Sequence, residues 1–368
     1  MLQYRVESSE ISDVKEMEKI WLELQERADC SFFQSWGWIG TWLQQIAAEL
    51  SPQVVTVSQG AETVGLGIFI SKNVKRHYLI NSQSLFLNEA PFDGKNMVIE
   101  YNGLLAANGC ESVVYAHTLP FLLQSFPAVD EFFFGAMRSV NELEAAVKSN
   151  QQTVKYICQQ ESIARSVDLK KIGDNLDDYL ASISKNRRLQ IKRSLRLYDE
   201  ISPVQINEAE TIEQALQYFD GLKVLHTNRW QHSGRTGSFA NSDWERFHRA
   251  LISDCFDRGE IQLLRVNNGH GDIGYLYNFI WRNRVYVLQT GFAMTQDKRL
   301  MPGYVTHVLA VLHNKNKGLE VYDLMHGDDL YKKLLCNQEQ MLYWAVVQRK
   351  RLKFALEETA RSLLRKFR

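Results

Sequence analysis

Two cations and a Pro-Gly pair stand between Lys298 and Tyr304, at the junction of two unlike patterns. Ahead of them, Arg284 to Gln289 (RVYVLQ) alternates like a half-buried strand, and behind them VTHVLAVLHNKNKG carries apolar residues at helical spacing. A helix must start there, yet Met301 offers no side-chain oxygen to its first backbone N–H groups. Pro302 suits the first turn because its missing donor is surplus there, and Gly303 lets another group approach the backbone closely. Either water takes those donors and Pro-Gly only turns the chain, or the positively polarised start, with Lys298 and Arg299 adding charge, seats an anion. A pyrophosphate fits such a seat.

Two further groups of residues suit anion chemistry. Between Ser182 and Tyr198 there are six basic residues and no acid, with Lys185, Arg188, Lys192 and Arg196 spaced along one helical face. Such a stripe is either a solvated face or a clamp for a phosphorylated acceptor, such as a sugar nucleotide or an RNA end. Arg229 beside Trp230 pairs a guanidinium fork with an aromatic face, which suits phosphates and sugar rings. His226 lies close to one helical turn before Arg229 and is a candidate base.

The elements that must position these groups repeat. Ser31 to Leu50 sets Trp38, Trp42, Ile46 and Leu50 on one helix face, with Trp36, Trp38 and Trp42 read as core. PQVVTVSQGAETVGLGIFISK and RHYLINSQ give three β-rich runs; after a loop from Pro91 to Asn102 come the helical GCESVVYAHTLPFLLQSF, interrupted by Pro120, and the strand DEFFFGAM. In the second half SDWERFHRALISDCFDRG is a helix, EIQLLRVNN, DIGYLYNFIW and RVYVLQTGF are strands, and the helix after Gly303 leads to the strand LEVYDLM. Helix, three-strand meander, helix, strand therefore occurs twice. The fold class expected is α/β, with two tandem units, each a mixed, mostly antiparallel sheet flanked by helices and closed by a parallel strand.

A length of 368 residues supports two domains, and the polar stretch Lys148 to Gln160 marks the boundary. The division read is 1–155, 156–345 and a basic amphipathic helix over 346–368, in which Leu352, Leu356, Ala360, Leu363 and Phe367 share a side. That helix docks on the protein or lies on an anionic membrane surface. Lys+Arg and Asp+Glu both total 43, which leaves no global field for DNA. Five scattered cysteines without a CxxC pair exclude a disulfide framework or structural zinc, and no leader or membrane-spanning run is present, so a cytoplasmic protein is expected.

Several stretches in order carry a resemblance: FFQSWGWIGTWL, SKNRRLQIKRSLRLYD, LHTNRW, FHRAL, MPG and YDLMHGDDLYKKLL. Together they resemble the FemAB-like branch of the GCN5-related N-acetyltransferases, and more narrowly the CelD/BcsL-type acetyltransferases of bacterial exopolysaccharide pathways, from Phe32 to Leu335. The resemblance implies two tandem GNAT-like domains. A degenerate first domain lies on the acceptor side and binds no CoA, the second binds acetyl-CoA or another acyl-CoA, and no metal takes part. Met301 departs from the small hydroxyl residue expected before Pro-Gly.

Carried onto these positions, the resemblance makes Leu288, Gln289, Thr290 and Gly291 the backbone that meets the oxyanion. Lys298, Arg299, Pro302, Gly303 and Tyr304 hold the pyrophosphate, and Tyr331 is the acid that protonates the thiolate, unless it is a packing residue. Lys332 completes the family's Tyr-Lys pair, with Asp328 nearby. Asp323 lies on a strand read as buried, so it is either a structural ion pair, with Lys332 as partner, or a base. Because it falls within LHTNRW, His226 ranks above His326 as base. Arg188, Lys192, Arg229 and Trp230 then face the acceptor. The activity implied is transfer of an acyl group from acyl-CoA to an amine or hydroxyl of a sugar, sugar nucleotide or envelope precursor. Two alternatives are a FemAB-like use of aminoacyl-tRNA and a non-catalytic interaction module.

Overall fold

The computed structural model describes residues 3–366 apart from 47–49, 77–79, 93–94 and 97–98. It divides into two compact units, Met1–Glu161 with Met341–Arg368, and Ser162–Gln340. The 346–368 segment, read above as a body of its own, therefore belongs with the first unit. The chain changes unit inside strands at both crossings, not at a polar linker.

The first unit contains β1 (Tyr4–Glu10), α1 (Val14–Glu26), α2 (Trp36–Gln45), β2 (Gln53–Gln59), β3 (Glu62–Arg76), β4 (Ile80–Leu87) and the short β5 (Pro91–Phe92), β6 (Lys95–Asn96) and β7 (Leu105–Ala106). After them come α3 (Glu111–Ser125), β8 (Glu131–Met137), α4 (Asn141–Ser149) and the start of β9 (Val154–Asp168). The strands β1 to β4 form an antiparallel meander, and β8 joins β4 in parallel over Ser84–Phe86 and Glu131–Phe133. Trp36, Trp38 and Trp42 are buried with Phe32, Phe69 and Phe134, so the tryptophan cluster is core. α3 runs through Pro120 because that ring lies on the exposed face, where the acceptor it strands meets solvent. RHYLINSQ is divided: Arg76 ends β3 and Ile80 opens β4.

Beyond the parallel contact, β4 and β8 are bridged by the chain's own loop. Asn102 N–H donates to the Ala136 carbonyl at 3.1 Å, and its side chain donates to Leu87 O at 2.9 Å and accepts from Asn88 Nδ2 at 3.0 Å. All of these polar groups are buried and satisfied, so the opening is a closed network.

The second unit continues β9 and adds α5 (Leu176–Ala181), α6 (Lys185–Ile201), β10 (Gln205–Glu208), α7 (Ile212–His232), α8 (Ser242–Cys255), β11 (Ile261–Asn268) and β12 (Gly271–Trp281). There follow β13 (Arg284–Phe292), α9 (Pro302–Asn316), β14 (Val321–His326), α10 (Leu330–Leu335) and β15 (Gln338–Arg349), which returns to the first unit ahead of α11 (Leu352–Lys366). The antiparallel run β10-β11-β12-β13 is joined by β14, parallel to β13 as the helical crossover requires. The core beneath it comes from alternate strand residues such as Leu264, Val266, Val285 and Val287, met by Val305, Val308 and Val311 of α9.

The β13–β14 pairing is short. Only Arg284 to Tyr286 and Val321 to Asp323 are in register; β13 then carries a bulge at Leu288, and β14 is turned by Met325 at φ 61°. Past Tyr286 no residue of β14 pairs with β13, so this edge runs on to Phe292 unpaired by β14.

α7 crosses β13 at Gly291, where a Cβ would lie 2.6 Å from the Leu222 carbonyl oxygen. That neighbour is backbone and cannot swing aside, so Gly291→Ala is expected to cost about 1–3 kcal/mol. A lower urea midpoint at unchanged m-value would register the loss.

Candidate active site

Pro302 occupies the first turn of α9, Met301 precedes it, and no side chain caps the helix. The Met301 amide donates to Ser194 Oγ of α6 at 2.9 Å, and Val305 N–H makes the first helical bond, to Met301 O at 3.0 Å. Since Pro302 has no donor, the amides of Gly303 and Tyr304 are the ones directed out of the helix start. They stand next to Phe292, the last residue of β13, whose ring would be 3.3 Å from a Cβ on Gly303.

Charge at this end differs from what the sequence led us to expect. Arg299 is drawn into a two-point pair with Asp297, at 2.9 and 2.6 Å, and holds that carboxyl down at about 2. Lys298 is exposed. The cation that reaches the helix start is Arg187 of α6, whose guanidinium lies 4.7 Å from the centre of the Tyr304 ring. Arg187 and Ser194 are seven apart, on the side of α6 that buries Ile191, and that spacing is the signal the sequence reading passed over. The stripe it chose is partly neutralised: Lys192 pairs with Asp177 at 2.5 Å and Arg196 with Glu200 at 3.4 Å, while Arg188 is half-buried.

Tyr331 opens α10, and its ring stacks on His307 of α9, with centroids 5.2 Å apart and planes within 15°. His307 sits one helical turn after Gly303; its Nδ1 meets the Tyr322 hydroxyl at 3.0 Å, and its buried Nε2 has no hydrogen-bond partner. Burial raises the Tyr331 phenol well above the ordinary tyrosine value, Asp329 adding to the shift and Arg229 opposing it. Arg229 lies over Phe292, 5.9 Å from the ring centre. Phe292 thus joins Gly303, His307 and Arg229 in one cluster, with Tyr331 against His307.

Asp323 is buried and accepts from Arg284 Nη1 at 2.8 Å and from the Met325 amide at 2.7 Å. This is the ion-pair alternative, with Arg284 as a partner that the sequence did not suggest. Lys332 is buried and its ammonium donates to the His326 carbonyl; His326 Nδ1 is 3.3 Å from Ser162 Oγ. Asp328 is exposed and pairs with Lys333 at 2.6 Å.

His226 faces the other side of β13. It is buried among Trp230 and Phe239, and its Nδ1 has no hydrogen-bond partner. Ser238, next to Phe239, donates to Gln289 Oε1 at 3.3 Å, tying this pocket to the bulged strand on which Leu288, Gln289 and Thr290 are half-buried. Burial, helped by Arg229, lowers His226 to about 4, and burial lowers His248 and His307 to about 3.

Unfolding would return all three to the ordinary value near 6.5, so below that pH the unfolded chain binds protons that the folded one refuses. Stability is therefore complete above about pH 6.5 and falls as pH drops towards 4, by up to about 1.4 kcal/mol per pH unit for each histidine. Urea unfolding at pH 7 and pH 5 reads this loss, and His248→Gln should remove about one third of it, leaving the shares of His226 and His307.

Residues 185–333 match the family model described as "Acetyltransferase (GNAT) domain". No curated protein matches the chain in sequence. Among solved structures the fold is similar to FemX, with a TM-score of 0.57 at 10% identity over 92% of this chain and 96% of that one. It is similar also to the C-terminal domain of a putative lysylphosphatidylglycerol synthetase from Agrobacterium fabrum (TM-score 0.55, 11% identity, 96% and 98% covered). The third is L-PGS from Bacillus licheniformis (TM-score 0.52, 9% identity, 95% and 97% covered). These likenesses are of fold, and the α/β architecture of tandem GNAT-like units read from the sequence is the one observed. Among the described residues no helix is long and apolar enough to cross a membrane.

Proposed function

We propose that the chain, an acyltransferase by virtue of its acetyltransferase (GNAT) domain, moves an acetyl or acyl group from acyl-CoA to an amine or hydroxyl. The acceptor is a sugar, sugar nucleotide or envelope precursor, as the narrower CelD/BcsL-type resemblance implies. One observation carries the reading: an uncapped helix start stands beside a strand edge that β14 leaves unpaired, with a protonated tyrosine close by. Acyl-CoA supplies an activated thioester. Gly303 and Tyr304 hold its diphosphate through their amides, with Arg187 alongside, and no residue of that turn brings an opposing acid.

Backbone donors on β13 between Leu288 and Gly291 stabilise the oxyanion, since past Tyr286 that edge has no partner on β14. Tyr331 keeps its proton until a thiolate needs it. His226, neutral at pH 7, takes the proton of the attacking group, with Arg229 and Trp230 beside it for the acceptor. Asp323 and Arg284 brace β14, with Lys332 bound to its last carbonyl. This reading places no CoA in the first unit, where, among the described residues, Asn88 and Asn102 are hydrogen-bonded to each other and α3 starts on the acidic Glu111.

The use of aminoacyl-tRNA is the second reading, favoured by the basic face of α6 and weakened by the pairing of Lys192 and Arg196. Incubation with acetyl-CoA and amino- or hydroxyl-bearing sugar acceptors, followed by thiol release, tests the proposal. Acceptor-dependent thiol release supports it; transfer from charged tRNA in place of acyl-CoA would replace it.

A further inference from the structure

α11 meets the rest of the first unit along one side. Phe354 is buried, with the Arg76 guanidinium 5.5 Å from its ring centre; Glu357 pairs with Arg76 and Glu358 with Lys155, each at 3.1 Å. At about 100° per residue Leu352 and Leu356 fall on the opposite side from Phe354. They are 84% and 69% exposed, more than any other large apolar residue described. Ala355, Thr359 and Ala360 flank them, all exposed, and the Thr359 hydroxyl is spent on the Ala355 carbonyl at 2.8 Å. These five positions form one continuous strip, none of them charged, on the side where a solvated helix ordinarily carries its polar residues.

Charge lies around the strip instead of on it. Residues 350–368 hold seven cations and two acids, and the two acids are Glu357 and Glu358, drawn to the sheet by Arg76 and Lys155. An exposed apolar strip on a strongly cationic segment suits an anionic lipid surface, whose acyl chains take the leucines while its headgroups meet the cations. A second copy of the chain suits it less. Pairing two such helices would bring like charges together, and two leucines a side fall far short of the roughly 1,200 Å² that a stable protein interface buries. We propose that α11, docked on the first unit through Phe354, seats the protein on an anionic bilayer surface through Leu352 and Leu356. The assignment does not depend on the acyl-CoA reading, since no residue of α11 belongs to that site.

Co-sedimentation of the full chain with vesicles tests it, using phosphatidylcholine alone and an equal mixture of phosphatidylcholine and phosphatidylglycerol. Binding to the mixed vesicles should be at least about tenfold tighter than to the neutral ones, and should weaken as sodium chloride is raised. Leu352→Ser with Leu356→Ser should weaken it at least about tenfold at an unchanged melting temperature, since neither side chain is buried. No binding to the mixed vesicles, equal binding to both kinds, indifference to salt, or indifference to the leucine pair would overturn the assignment. A concentration-dependent dimer in sedimentation velocity that the leucine pair abolishes would also overturn it, by giving the strip to a second copy.

Discussion

Gly303→Asp is expected to weaken acyl-CoA binding at least about 100-fold, roughly 2.7 kcal/mol, while the protein remains folded. The two halves of this expectation have separate causes. A carboxylate in the first turn of a helix interacts favourably with its positive end, so α9 loses nothing by the exchange. The same carboxylate competes for the amides that would otherwise meet a diphosphate, and repels it. Gly303→Ala separates charge from bulk: its Cβ would lie 3.3 Å from the Phe292 ring, a contact that a small shift relieves, so a loss of only a few-fold is expected. Calorimetric titration of both variants with CoA, beside a thermal melt, reads the two effects independently.

Tyr331→Phe is expected to lower kcat by about 10²–10³-fold and leave KM within a few-fold, the signature of a group that acts in the transition state. The ring stacked on His307 is kept by phenylalanine, so packing at the start of α10 should not change. Burial holds the phenol above its ordinary value, and wild-type kcat should therefore show no loss on the alkaline side up to about pH 10 from this group. If Tyr331 were only a packing residue, Tyr331→Phe would retain full activity.

The parts of the site that were legible in the sequence are those fixed locally. Pro302 and Gly303 announce an uncapped helix start by chemistry confined to one turn, and the strand–helix–strand order around them is set by hydrophobic period. Tertiary partners were not legible. Arg187 reaches Tyr304 and Ser194 reaches Met301 only because α6 packs across the start of α9, and the sequence favoured the more conspicuous stripe through Arg188 and Lys192. Arg284 meets Asp323 because β13 and β14 pair in parallel, a register that no local pattern specifies.

Strands β9 and β15 escaped notice for a related reason. The polar run at the start of β9, with Cys158, Gln159 and Gln160 exposed, lacks the alternation that betrays a half-buried strand. At the C-terminus the amphipathic helix was legible, but its seating was not: among the described residues of α11 Phe354 is buried, whereas Leu352 is 84% and Leu356 69% exposed. The side chains of Leu363 and Phe367 lie outside the described residues.

A crystal structure of the chain grown with CoA would test the central claim most directly. The account predicts diphosphate oxygens about 3 Å from the amide nitrogens of Gly303 and Tyr304, with Arg187 alongside and Tyr331 facing the sulfur. A diphosphate bound elsewhere, with those two amides turned to water, would contradict it.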